Sequence, residues 1–192
     1  MSVFRMPVSL KITGRLSRIT NAFVNSIIPA IQPTEEEVET ALDLLGMTLD
    51  DVECSYCGNP ATEWDHLRPI VRNRRPTGYI SEIRNLVPAC GKCNQSKGNK
   101  DWRAWMLGPA RLSPATRGIP DLEDRIARLE AYEAWGDVTK LDVPAIVGEE
   151  GWTTHILNLE KVEAAMREAQ AHSADLRKAL RAKVGACPSE EA

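Results

Sequence analysis

Four of the chain's five cysteines form two tight pairs, Cys54-Ser-Tyr-Cys57 and Cys90-Gly-Lys-Cys93. Two C-x-x-C pairs suit a tetrahedral Zn²⁺ site, because each pair grips the ion from a single turn and thiolates satisfy its soft side. A redox centre needs only one such pair, and paired disulfides belong to oxidising compartments, so zinc is the stronger reading. Cys187, in the C-terminal tail, reads as a bystander thiol. Between the pairs stands Asp65-His66, followed by Asn85, and Asn94 comes directly after Cys93. His66, one of three histidines, has an ordinary pKa near ~6.5 and can take a proton from water at neutral pH. Asp65 and Asn94 offer hard oxygen ligands, suited to Mg²⁺ or Mn²⁺ with several retained waters. Asn85 is expected to hydrogen-bond backbone across the intervening loop and hold the His66 ring in place. A lone Asp-His pair is most often structural. Here it lies inside a cysteine-clamped, basic segment with two spaced asparagines, which favours a chemical role.

The ordered combination C-x-x-C, then D-H-L-R-P, then N-L-V-P-A-C-x-x-C-N-x-x-K-G resembles the HNH nucleases of the ββα-metal superfamily, over residues 54–103 of 192. The resemblance implies a β-hairpin with Asp65 and His66 on its first strand and Asn85 at the start of its second. A helix from about residue 92 would then present Asn94 to the same site. It further implies a metal-dependent DNA endonuclease that leaves 5′-phosphate and 3′-hydroxyl ends, with Cys54, Cys57, Cys90 and Cys93 as a structural zinc clamp. The last histidine of the family name is Asn94 here, an H-N-N variant whose catalytic cation is expected to be Mg²⁺ or Mn²⁺. In this reading Asp65, His66, Asn85 and Asn94 form the catalytic set, with Asp65 and Asn94 as ligands of the catalytic cation. His66 activates the water that attacks phosphorus in line.

These residues require elements to position them. Periodicity predicts a mainly helical chain, and the resemblance implies a central ββα-metal module within it, giving an α+β class divided into an N-terminal basic arm with an amphipathic helix (1–53), the nuclease domain (54–108) and a C-terminal helical region (109–192). Thr34 reads as an N-cap, Glu35, Glu36 and Glu37 fill a first turn, and Val38, Ala41, Leu42 and Leu45 recur at helical spacing before Gly46. That predicts a helix over 35–45. A second is expected over 121–135 and a third over 156–184, with a Pro- and Gly-rich loop at 107–120 and a short strand near 141–147.

The net charge of −3 conceals a strong segregation: +4 over residues 1–33, −9 over 34–63 and +6 over 64–103. One concentrated basic block on a weakly acidic chain suggests a local polyanion-binding surface. Arg68, Arg72, Arg74, Arg75, Lys97 and Lys100 are its candidate DNA contacts, supplying affinity rather than base reading. Trp64, Trp102 and Trp105 read as packing residues. With 27% charged and 43% hydrophobic residues the composition is that of a globular protein, which excludes collagen-like and disordered classes. No run long and apolar enough to span a membrane is present, nor an apolar secretory core, so a cytoplasmic location is expected. Restriction, defence or a phage or mobile-element setting fits such an enzyme. The competing class is a zinc-stabilised nucleic-acid-binding or phage assembly accessory protein without nuclease activity. A single site cuts one strand at a time, so a weak or DNA-induced homodimer is expected. Its candidate seam is Leu159, Val162, Met166, Ala169, Ser173, Leu176 and Leu180, which could instead pack against the chain's own 121–135 helix.

Overall fold

The computed structural model describes residues 8–184, so Cys187 lies outside the described residues. In chain order they form α1 (Leu16–Asn25), α2 (Glu35–Leu45), β1 (Glu63–His66), β2 (Val71–Arg72), β3 (Arg75–Pro76), β4 (Leu86–Ala89), α3 (Gly91–Lys97), α4 (Trp102–Leu107), α5 (Pro114–Arg117), α6 (Leu122–Glu133), α7 (Val143–Val147) and α8 (Glu149–Val184). Two compact units divide the described residues: 24–146, and 8–23 together with 147–184.

Within 24–146, β1 and β4 pair antiparallel, with Glu63 opposite Ala89, Asp65 opposite Val87 and His66 opposite Leu86. α3 follows β4 directly and packs on β1. This is the expected ββα order, with the small β2–β3 hairpin set into the connection between the two strands. Side chains alternate across a strand, so Glu63 and Asp65 share one face of β1 while Trp64 and His66 share the other.

The elements around this module form for local reasons. Thr34 and Glu37 make a reciprocal capping box at the start of α2: Glu37 N donates to Thr34 Oγ1 (3.2 Å) and Thr34 N donates to Glu37 Oε2 (3.0 Å). Gly46, at φ 69°, takes the left-handed conformation that ends the helix. α2 rests on α6, and Leu42, Leu45, Ile126, Leu129 and Tyr132 join one core with the cysteines, Trp102 and Trp105. Each fully buried Leu or Ile there contributes about 1.5–3 kcal/mol.

Three expectations about the elements change. Residues 107–120 are not an open loop, because buried Ser113 accepts from Thr116 N (3.3 Å) and caps α5. The 141–147 segment is the helix α7 rather than a strand. Asp142 Oδ1 accepts from Ala145 N (3.2 Å) and Pro144 suits a first helical turn, which together override the β-branched composition. Residues 16–25 of the supposed basic arm are helical, with Leu16, Ile19, Thr20 and Phe23 at helical spacing on the less exposed side.

In the other unit, α8 begins at Glu149, seven residues earlier than the pattern suggests, and runs 36 residues. Its buried side rests on the N-terminal segment: Thr20 Oγ1 donates to buried Glu163 Oε1 (3.1 Å), Ile12 N donates to Gln170 Oε1 (2.6 Å), and His155 Nε2 lies 3.1 Å from Phe23 O. Of the expected seam only Leu159 is buried, whereas Val162, Leu176 and Leu180 are exposed. Among the described residues no helix is long and apolar enough to cross a membrane.

Candidate active site and metal centre

Both cysteine pairs converge. All four residues are buried, and their Sγ atoms lie within 4.8 Å of one another. The Sγ atoms of Cys57 and Cys90 are 3.8 Å apart. Metal–sulfur bonds of ~2.3 Å in a tetrahedron require edges of about 3.8 Å, so this donor set fits a metal such as zinc. Asn59 Nδ2 donates to Cys57 Sγ (3.3 Å) and Arg117 Nη1 to Cys93 Sγ (3.4 Å), both suited to offset thiolate charge. Hydrogen bonding to Cys57 pushes the Cys54 thiol up to about 12, while the same bond holds Cys57 below the usual thiol range. Arg125 braces the first pair from α6: its guanidinium donates to Cys54 O (3.1 Å) and pairs with Glu53 (2.9 Å) and Asp121 (2.8 Å). A Cβ at Gly58 would lie 2.5 Å from Arg125 Nη2, and φ there is 71°, so the turn after the first pair demands glycine.

Asp65 lies buried on the α3 side of β1. Its Oδ2 accepts from Tyr56 Oη (2.6 Å) and pairs with Lys97 Nζ (3.0 Å). Burial pushes the Asp65 carboxyl above its usual range, against the pull of Lys97 and Tyr56, and burial likewise lowers Lys97. On the same face Glu63 Oε2 accepts from Asn94 Nδ2 (2.6 Å), which leaves the Asn94 carbonyl oxygen for other work. Glu63, Asp65 and Asn94 thus gather oxygen donors on one side of the module. These hard donors fit a Mg²⁺-like cation that keeps several waters.

His66 emerges at the end of β1 on the opposite face of the ladder. Its Nε2 lies 2.8 Å from Ser81 Oγ, and its main-chain oxygen accepts from Lys97 Nζ (2.7 Å). Lys97 therefore joins the two halves of the Asp-His pair. Burial, aided by the Lys97 charge, pushes the His66 ring down to about 4, so the imidazole is neutral at pH 7. Asn85 is wholly buried, and its side chain hydrogen-bonds main-chain atoms. Its Oδ1 accepts from Arg68 N (2.8 Å), and its Nδ2 donates to Arg68 O (3.1 Å) and Ile80 O (3.2 Å), fixing the backbone two residues beyond His66.

The basic block divides. Lys97, expected to face phosphate, is instead fully buried between Asp65 and His66. Arg68 is also turned inward, with Nη2 donating to Glu133 O (3.0 Å) and pairing with the Glu133 carboxylate (3.4 Å). Lys100 is exposed, yet its ammonium donates to the carbonyls of Ser96 (2.8 Å) and Lys97 (3.3 Å) and caps α3. Arg72 and Arg74 are exposed and Arg75 half-buried at the β2–β3 tip. That two-residue turn holds Asn73 at φ 51° and Arg74 at φ 63°. Asn tolerates this left-handed region, and Arg at such a position is strained. Trp102 and Trp105 are core residues, whereas Trp64 is 60% exposed, because its face of β1 is not covered by α3.

Sequence reasoning missed Tyr56, Glu63, Ser81 and Arg117. Glu63 was readable as the residue two before Asp65 on a strand, and Tyr56 as an aromatic inside a tight cysteine turn. Nothing local marks Ser81 or Arg117.

Residues 54–100 match the family model described as HNH endonuclease. Over 57 residues, 28% of this chain, the sequence is 42% identical to the CRISPR-associated endonuclease Cas9 of Corynebacterium diphtheriae. The matched stretch is 5% of that protein's length. No solved structure matches the chain. The zinc-type cysteine cluster, the ββα order and the two sequence matches coincide in one segment, and residues 54–100 are a domain of the HNH endonuclease family within a longer chain.

Proposed function

We propose that this domain makes the chain a DNA endonuclease, dependent on Mg²⁺ or Mn²⁺, that hydrolyses phosphodiesters to 5′-phosphate and 3′-hydroxyl ends. The observation that carries this reading is His66, anchored at Nε2 by Ser81 at the end of the strand that carries Asp65, with Asn94 on the helix α3 packed against that strand. With Nε2 engaged, Nδ1 is the atom that takes the proton from water. Asp65 Oδ1 and the Asn94 carbonyl hold the divalent cation, which when bound supplies charge stabilisation for the attacked phosphoryl group and the departing 3′ oxygen. Asn85 keeps the backbone after His66 in place, and Ser81 holds the ring at Nε2. Cys54, Cys57, Cys90 and Cys93 hold a structural Zn²⁺.

Arg72, Arg74 and Arg75 grip the DNA backbone. Retaining an arginine at a strained left-handed turn position, where glycine fits without strain, supports a functional use of that tip. Residues 1–53 and 109–192 select the target. One site per chain cuts one strand, so double-strand cleavage runs through a weak or DNA-induced homodimer. The setting is cytoplasmic restriction, defence or mobile-element biology.

One observation favours a second reading. The Lys97 ammonium already offsets the Asp65 charge, as it would in a nucleic-acid-binding module that performs no hydrolysis. Supercoiled plasmid decides between them: nicking with Mg²⁺ or Mn²⁺, abolished by EDTA, is expected. Binding without nicking across Mg²⁺, Mn²⁺ and Ni²⁺ would establish the module instead.

A further inference from the structure

The two cysteine pairs do more than approach each other, for each delivers one side chain to the same carboxylate oxygen. Tyr56 lies between Cys54 and Cys57, and its hydroxyl donates to Asp65 Oδ2 at 2.6 Å. Lys97 lies one helical turn after Cys93 in α3, and its Nζ reaches that oxygen at 3.0 Å. Both side chains are wholly buried, Tyr56 packed edge-on against Trp105 at 5.2 Å between ring centroids. Asp65 Oδ2 is thereby saturated, while Oδ1 has no hydrogen-bond partner among the described residues. A carboxylate held at one oxygen binds a cation through the other alone. Such monodentate binding suits the strict octahedron of Mg²⁺, whereas Ca²⁺ accepts bidentate carboxylates.

We propose that Tyr56 and Lys97 are positioning residues through which the closed cysteine centre fixes Asp65 as a one-oxygen ligand, selecting a small octahedral cation at the neighbouring site. This inference rests on the reading of that site given above. Removing an outer hydrogen-bond partner of a ligand typically lowers metal affinity about 10–100-fold.

The test uses the full chain with its cysteine centre loaded, and reads Mn²⁺ binding by electron paramagnetic resonance with Mg²⁺ and Ca²⁺ as competitors. In Tyr56→Phe the ring and its packing on Trp105 remain. Zinc content is expected to match wild type with the fold retained at a somewhat lower melting temperature, while Mn²⁺ affinity falls about 10–100-fold and the preference for Mg²⁺ over Ca²⁺ narrows. Wild-type affinity and preference in this variant would overturn the inference while leaving the nuclease reading intact. A wild-type chain that binds no Mn²⁺ overturns both. Should Tyr56→Phe lose its zinc, the wild-type chain still decides by proton resonance. The Tyr56 hydroxyl proton is expected downfield and slow to exchange, and to shift as Mg²⁺ fills the site. A resonance unmoved at Mg²⁺ saturation overturns the proposal.

Discussion

The cysteine cluster and the Asp65–His66 end of β1 stand a few residues apart and are built on opposite plans. In the cluster all four donors are buried, their sulfurs lie within 4.8 Å, and Asn59, Arg117 and Arg125 brace them from outside. Around β1 the groups divide, Asp65 and Asn94 on the α3 side and His66 on the other, and each has one atom engaged: Asp65 at Oδ2, Asn94 at Nδ2, His66 at Nε2. A closed donor set stabilises a fold. A half-committed set holds its groups still while leaving atoms for an incoming ligand. Lys97 belongs to both plans, since it grows from the second cysteine pair and touches both Asp65 and the His66 backbone.

The widest separation between the two regions should come from removing one donor in each. Cys90→Ser is expected to abolish cooperative folding of residues 24–146, since structural zinc sites supply on the order of 10 kcal/mol of folding free energy. Circular dichroism and zinc content measure it, and a folded wild-type chain with four free thiols and no zinc would show that the cluster is no metal centre. His66→Ala is expected to keep the fold and zinc while nicking falls about 10²–10⁴-fold. Nicking at the wild-type rate would move the chemistry away from this end of β1.

Acid should sharpen the contrast at His66. His66 is held at about 4 in the folded chain against an ordinary 6.5, so between those values the unfolded chain binds a proton that the native chain refuses. Stability attributable to this residue is present above pH 6.5 and is lost as pH falls towards 4. Denaturant titrations from pH 7 to 4 should show a shallower decline in His66→Ala than in wild type. Equal slopes would place the ring in solvent.

The hairpin gives the smaller effects. Replacing Arg72, Arg74 and Arg75 together by Ala should weaken DNA binding regardless of sequence and flatten its salt dependence, by about 0.9 in slope for each phosphate no longer neutralised. An unchanged slope would place the grip elsewhere. Arg74→Gly alone should stabilise the chain by about 1 kcal/mol by relieving the left-handed conformation at φ 63°, while weakening DNA binding. A variant both more stable and equally tight would remove Arg74 from the interface.

What sequence alone determined here was whatever local geometry enforces. Cys-x-x-Cys spacing favours a tight turn, so the convergence of the four cysteines was readable. Thr34, Glu37 and Gly46 specify their own helix ends, so α2 was placed to the residue. The order of D-H, N and C-x-x-C-N carried the ββα arrangement. Tertiary structure decided what depends on partners distant in sequence. Lys97 has a surface-like sequence context, and only the closing of α3 on β1 buries its charge against Asp65. Arg68 is withdrawn from the basic surface by Glu133, 65 residues away. Trp64 is exposed because the helix lies on the other side of its strand, and Ser81 meets His66 only through the fold of the connection between β1 and β4. Turns and caps are settled by neighbours along the chain. The fate of a buried charge is settled by whichever countercharge the packed fold brings to it.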